Sequence, residues 1–249
     1  MLINYLTENF FPVGTTGNYI ILAAGILLCM ILPYLLGSLN FAIIISKIFF
    51  RDDIRKYGSG NAGTTNMLRT YGKLPAVATL LLDMSKGAIS VLIGFLILGT
   101  GVYTEAGYTS IFAGTYLAGL FAVIGHMFPC FYRFKGGKGV ATTAVVVLCT
   151  NPLVFAILIL AFVIIVAGSK MISLGSVMCM LLYPVLLSRI EPTQPQGILI
   201  SILIAGLVIF MHRSNIKRIW QGKESKLSFK KHAKVPAADS ADATDKNTK

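Results

Sequence analysis

The sequence predicts an all-α fold, a polytopic membrane helix bundle of about seven transmembrane helices. Three observations lead there. Of its 249 residues, 55% are hydrophobic and 13% are charged, where a soluble domain carries about 25% charged residues, and the mean hydropathy is +0.74. Several apolar runs approach the roughly 20 residues that cross a bilayer as a helix, and alternation of the barrel type is absent. Lysine and arginine are also unevenly placed. They are missing before Lys47, then gather at 51–73, at 133–138, at Lys170 and from Arg213 onward, with Lys47, Lys86 and Arg189 outside those groups. That is the bias of loops on one cytoplasmic face. It accounts for the net charge of +12 without a nucleic-acid partner.

Taken in order, the expected apolar segments are 20–49, 74–99, 109–128, 139–150, 152–168, 172–188 and 197–211. The first is longer than one span needs and contains Pro33 and Gly37, so a kink or tilt is expected there. Asn151-Pro152 divides the fourth from the fifth, because the residue before a proline is biased away from helix. The two halves are short, and fit either two short spans or one re-entrant feature. Two spans are preferred, since only then does Lys170 return to the basic side. Seven crossings place the N-terminus outside and the C-terminus in the cytoplasm. No basic stretch precedes the first apolar run, so a cleaved signal peptide is not expected. Cys29, Cys130, Cys149 and Cys179 lie in or beside apolar segments without CxxC spacing, and read as small hydrophobes. The organisation expected is an external extension at 1–19, a membrane domain at 20–226 and a disordered cytoplasmic tail at 227–249, which lacks apolar periodicity.

This topology brings 51–73, 129–138, 169–173 and 212–226 to one face, and they hold nearly every polar motif. "YGSGNAGTTNMLRTYGK" (57–73) contains a literal GxGxxG, yet "RDDIRKY" before it is no buried strand, so a dinucleotide fold is rejected. Its Asn61, Thr64, Thr65, Asn66 and Arg69 form a hydrogen-bonding set that suits an anion. "GHMFPCFYRFKGGKGVAT" (125–142) fails as a Walker A loop, because Gly139 stands where Ser or Thr is required. It ends where an apolar helix begins, and Lys138 at such an N-terminus suits phosphate. "HRSNIKRIWQGKES" (212–225) puts His212 and Asn215 on one helical face, and Trp220 with its basic neighbours also fits a juxtamembrane amphipathic helix. Asp83 and Lys86, at i, i+3 in an apolar span, read as a structural pair. No metal-ligand spacing, Ser-His-Asp arrangement or HxxxxD pair is present. A transporter for an organic anion would use similar groups, but near the midplane at a repeat interface, and no repeat is visible here.

These three motifs, in this order, resemble the bacterial acyl-phosphate:glycerol-3-phosphate acyltransferase family of the inner membrane. The likeness runs from about Tyr34 to Lys226, includes "LLDMSKG" (81–87), and departs at Thr64, where alanine is usual. It implies transfer of an acyl group from acyl phosphate to the 1-hydroxyl of glycerol 3-phosphate, giving lysophosphatidic acid, with no cofactor. The implied catalytic residues are Arg69, Lys138, His212, Asn215 and Glu224. The implied substrate-binding residues are Ser59, Asn61, Thr65, Asn66, Gly136, Gly137, Gly139 and Ser173. His126 belongs to the second motif and equally fits a role in orienting a backbone turn. The implied partners are the two substrates, the lipid bilayer of the bacterial cytoplasmic membrane, and a soluble acyl-phosphate synthase that hands over its product. Direct transfer is expected, with His212, Glu224 or a substrate phosphate as the base.

Overall fold

The computed structural model describes residues 2–10, 14–99, 102–104, 107–109 and 114–227. Its helices are α1 (Leu2–Asn9), α2 (Thr16–Gly37), α3 (Phe41–Phe50), α4 (Thr64–Tyr71), α5 (Lys73–Leu98), α6 (Gly114–Met127), α7 (Val140–Thr150), α8 (Pro152–Ser169), α9 (Ile172–Ile190), α10 (Pro195–Met211) and α11 (Arg213–Trp220). Between α5 and α6 a short antiparallel ladder pairs β1 (Val102–Thr104) with β2 (Gly107–Thr109), Val102 opposite Thr109. Glu105 and the expected tail beyond Leu227 lie outside the described residues.

Polar side chains set the helix ends. Pro33 sits inside α2 without ending it, and the helix breaks directly after Gly37, at residues 38–40. The Ser38 hydroxyl turns back to the Tyr34 carbonyl at 2.8 Å. The Asn40 side-chain oxygen accepts the Ile43 N–H at 3.1 Å, capping α3. Asn151 ends α7 and caps α8 through the Val154 N–H at 2.9 Å. Pro152 follows at the first helical position, where its missing N–H removes no helical bond.

Among the described residues, five segments are long and apolar enough to cross a bilayer: Thr16–Phe50, α5, Gly114–Tyr132, α8 and α9. A sixth is added if α10 and α11, bent by 60° at His212, count as one. The difference from about seven is α7, whose 11 residues rise only about 16 Å against a hydrocarbon core of about 30 Å. The 18 residues of α8, which leaves from the same corner, rise about 27 Å.

The most buried of the five is Gly114–Tyr132, 61% buried along its apolar window, against 11% for α8. Apolar all round and exposed on most of its surface, α8 has no reason to be amphipathic. Where α6 crosses α2, Gly37 backs onto the Ala122 carbonyl and Gly125 onto the Tyr34 carbonyl, so a Cβ at either would collide with backbone. Small residues allow this approach where the membrane supplies no hydrophobic drive between helices. The main core joins Val123 and Met127 of α6 to Val146, Tyr183, Leu187 and Ile204. A second cluster, with Ile43, Ile54 and Met67, lies beneath the first motif.

Candidate active site

The first motif is folded by its own side chains. Asp53 caps a 3₁₀ turn at Ile54–Lys56, accepting the Arg55 N–H at 3.0 Å. Asn66, 1% exposed, clasps that turn: Nδ2 donates to the Ile54 and Tyr57 carbonyls at 3.2 and 3.0 Å, and Oδ1 accepts the Ser59 N–H at 3.1 Å. Gly58 takes φ +56 with Asn66 packed against it, a conformation that glycine adopts without strain. The GxGxxG run is thus a turn closed by an asparagine. Asn66, expected to hold substrate, lines the same cavity as Ser59, Asn61, Thr65 and Arg69, but both its polar ends are engaged by the loop. Arg55, which no pattern in the sequence marks, buckles this loop to the next. Its guanidinium pairs with Asp53 at 2.7 Å and donates to the Tyr132 and Lys135 carbonyls at 3.1 and 3.0 Å.

The second motif departs from the expectation that successive glycine amides cradle a phosphate. The N–H groups of Gly136 and Gly137 donate to the Met127 and His126 carbonyls, each at 3.1 Å, and neither residue lines the cavity. They are needed for close approach, since a Cβ at Gly136 would meet the His126 carbonyl and one at Gly137 the His126 ring. Gly139 behaves as expected. It caps α7 at φ +81 and lines the cavity with Val140 and Ala141, so the start of α7, whose first N–H groups lack helical partners, borders it.

The third motif supplies the partners of Lys138. Lys138 Nζ donates to Asn215 Oδ1, and Asn215 Nδ2 donates to Glu224 Oε1 at 2.6 Å. Ser173 Oγ donates to the same oxygen at 2.6 Å, and Arg218 Nε to Glu224 Oε2 at 2.8 Å. Burial pushes the Glu224 carboxyl up, but the donors Ser173, Asn215 and Arg218 outweigh it and hold the group below the ordinary carboxylate range. Lys138 is pushed down to about 8 by burial, which the pull of Glu224 offsets only in part, with Arg218 and Arg69 adding to the depression. His212 lies just past α10 with Nδ1 2.8 Å from the Val208 carbonyl, so Nδ1 carries the proton and Nε2 is the acceptor. Burial, then the Lys138 charge, lowers its pKa to about 4, and the ring is neutral at physiological pH.

All the expected site residues except Gly136 and Gly137 line one cavity of about 1090 Å³, large beside the 300–1,000 Å³ or so of a usual ligand pocket. One end carries the cations, hydroxyls and amides. The other runs between α7, α8 and α9, walled by Val147, Phe155, Leu158, Phe162, Cys179 and Met180. Sequence reasoning missed this arm, because a helix apolar all round gives no sign of which side faces a cavity. Asp83 and His126 also reach the cavity wall. Among the described residues no three His, Cys, Asp or Glu side chains gather as a metal site would require.

The bundle and its cavity define an integral membrane protein whose site joins cationic groups to an apolar channel. This chain belongs to the glycerol-3-phosphate acyltransferase family, whose model matches residues 27–222. A glycerol-3-phosphate acyltransferase of Thermoanaerobacter pseudethanolicus is 41% identical over 207 residues, covering 83% of this chain and 98% of the relative. One from Staphylococcus aureus is 36% identical over 204 residues, covering 82% and 98%. The crystal structure of PlsY (YgiH), an integral membrane glycerol 3-phosphate acyltransferase, in its glycerol 3-phosphate form superposes with a TM-score of 0.72 at 34% identity, covering 82% of this chain and 96% of that one. Its lysophosphatidic acid form gives 0.70 at 33%.

Proposed function

We propose that this protein transfers the acyl group of an acyl phosphate to the 1-hydroxyl of sn-glycerol 3-phosphate, releasing phosphate and lysophosphatidic acid at the cytoplasmic face of a bacterial inner membrane. The observation that carries this reading is one cavity with two chemistries. Lys138, Arg69 and the start of α7 suit phosphate groups, and the arm between α7, α8 and α9 suits a fatty chain. The glycerol 3-phosphate and lysophosphatidic acid forms of the PlsY structures support the same two ligands. The lysine and arginine bias supports a cytoplasmic mouth with the N-terminus outside. There the mouth is open to an acyl phosphate handed over by a soluble synthase.

In the transfer, the 1-hydroxyl oxygen attacks the acyl carbonyl carbon. The bond from that carbon to the bridging phosphate oxygen breaks, its electron pair leaves with phosphate, and the hydroxyl proton passes to an acceptor. The mixed anhydride is already activated, so positioning, which contributes up to about 7–11 kcal/mol, and charge neutralisation carry most of the work. Lys138 and Arg69 supply the neutralisation. Glu224 is engaged by three donors and held ionised, so its part is to orient Asn215 and through it Lys138. The acceptors left are His212 Nε2 and the departing phosphate. The low basicity of His212 suits it to receive a hydrogen bond from the hydroxyl, which favours phosphate as the final acceptor.

Purified protein given palmitoyl phosphate and glycerol 3-phosphate is expected to form lysophosphatidate and inorganic phosphate in equal amounts. Absence of both products would overturn the reading, and an equal rate with a palmitoyl thioester would overturn the acyl-phosphate assignment.

A further inference from the structure

Three ionisable side chains buried in the bundle take no part in the transfer described above. Asp83 and Lys86 of α5 are each 1% exposed and His126 of α6 is 4% exposed. Lys86 Nζ lies 2.9 Å from Asp83 Oδ1 and donates to the Leu39 carbonyl at 2.7 Å, in the break between α2 and α3. His126 Nδ1 lies 3.5 Å from the same Asp83 oxygen. Ionisable groups inside a membrane span are costly and are retained where they pair or serve a function.

What these groups touch indicates the purpose. On its far side the His126 ring meets Gly137, where an added Cβ would collide with Nε2 and with the Ala62 carbonyl. The His126 carbonyl holds the Gly137 N–H. The Ala62 carbonyl, in the first motif, accepts from Asn40 Nδ2 at 3.3 Å, and Asn40 follows Leu39, to which Lys86 is bound. The Asp83 carbonyl accepts the hydroxyl of Thr142 at 3.3 Å, in the first turn of α7. The contacts therefore close a ring through Leu39, Lys86, Asp83, His126, Gly137, Ala62 and Asn40. Lys138 and Gly139 leave that ring directly.

We infer that Asp83, Lys86 and His126 are positioning residues for the proposed acyl transfer, fixing the glycine loop, and with it Lys138, against the first motif at the separation that two phosphate groups require. The triad acts from beneath the loop: the Asp83–Lys86 pair fixes the imidazole, the imidazole fixes Gly137, and Gly137 fixes the Lys138 backbone. A charged contact is used where a small apolar cluster would pack as well, because the carboxylate draws one edge of the imidazole toward it and an apolar contact has no such direction.

The inference rests on the proposed function, and the test separates the two. Purified parent, Asp83→Asn/Lys86→Met, Lys138→Ala and the triple combination are assayed with palmitoyl phosphate and glycerol 3-phosphate, and their melting is followed. Removing both charges leaves no lone buried ion, so the double variant is expected to insert and to melt within a few degrees of the parent. Its kcat/KM for glycerol 3-phosphate is expected to fall at least about 30-fold, with KM raised, and to fall less than about 3-fold further when added to Lys138→Ala, because groups acting through one another are not additive. A folded double variant with parental kcat and KM, or full additivity with Lys138→Ala, overturns the inference. If the double variant does not insert, His126→Asn and His126→Leu decide the matter. Asparagine can keep a donor toward Asp83 and is expected within about 3-fold of the parent, with leucine at least about 10-fold below; equal activity of the two overturns the inference. A parent that makes no lysophosphatidate overturns the proposed function and the inference with it.

Discussion

Lys86 and Lys138 both sit in or beside apolar helix, and both are largely withdrawn from water. Lys86 lies 2.9 Å from a carboxylate and donates to a carbonyl, so its charge is neutralised inside the bundle. Lys138 is hydrogen-bonded to the neutral amide oxygen of Asn215, while the nearby carboxylate of Glu224 is taken by Arg218, Asn215 and Ser173. Its charge is left over for a ligand. A lysine becomes a structural tie or an anion site according to what already occupies the nearest carboxylate.

The comparison breaks most sharply at Lys138. Lys138→Ala removes a charge-assisted contact worth roughly 1.5–3 kcal/mol, and more where charge develops out of water. Turnover in inserted protein is expected to fall at least about 100-fold, at 1.36 kcal/mol for each tenfold. Lys138→Arg is expected to recover only part, since a planar fork does not fit where a compact ammonium sat. Parental turnover in Lys138→Ala would make the two lysines alike.

Glu224→Gln tests the carboxylate that leaves Lys138 unpaired. The amide keeps the shape but frees Arg218 and turns a donor toward Ser173 or Asn215, so kcat is expected to fall by about tenfold. An unchanged kcat would mean that the Asn215 orientation is set elsewhere.

The pH profile sharpens the same point. Below about 8 the Lys138 ammonium is present, and as pH rises through that value the cation is lost. The kcat/KM for glycerol 3-phosphate, which reports the free enzyme, is expected to be level below about 8 and to fall above it. Bound phosphate favours the ammonium, so kcat should hold to higher pH. Arginine keeps its charge throughout this range, so Lys138→Arg should lack that limb; a limb unchanged in that variant would assign it to another group.

The smallest effect is expected at the C-terminus. Deleting the chain after Ser228 removes neither site residue nor apolar segment, and activity in membranes should stay within about twofold of the full chain by the usual tolerance of polar termini. Complete loss at normal protein levels would tie the tail to the site.

Much of the fold was legible because lipid acts on each segment separately. The expected 152–168, 172–188 and 197–211 lie within two residues of Pro152–Ser169, Ile172–Ile190 and Pro195–Met211, since every backbone polar group in hydrocarbon must be satisfied within its own helix. Of the two residues expected to disturb the first segment, Pro33 stays inside α2 and Gly37 ends it; the side-chain bonds of Ser38 and Asn40 that shape the break carry no apolar signal. Segment 139–150 matches Val140–Thr150 nearly to the residue, and at 11 residues that helix is shorter than the spans around it. The polar motifs pointed to the residues that line the cavity. They did not show that Asn66 uses its polar ends on its own loop, nor that Gly136 and Gly137 pack on His126 instead of facing the cavity.

The sequence by itself determined which segments are helical and apolar, which loops are basic, and which residue types gather in the motifs. Those properties follow from solvation of each segment taken alone. Only the tertiary structure decided which lysine stays uncompensated, which carboxylate is engaged, and which sides of α7, α8 and α9 enclose the apolar arm. Hydrogen bonding and desolvation act through space, between groups such as Lys138 and Asn215 that stand 77 residues apart in the chain.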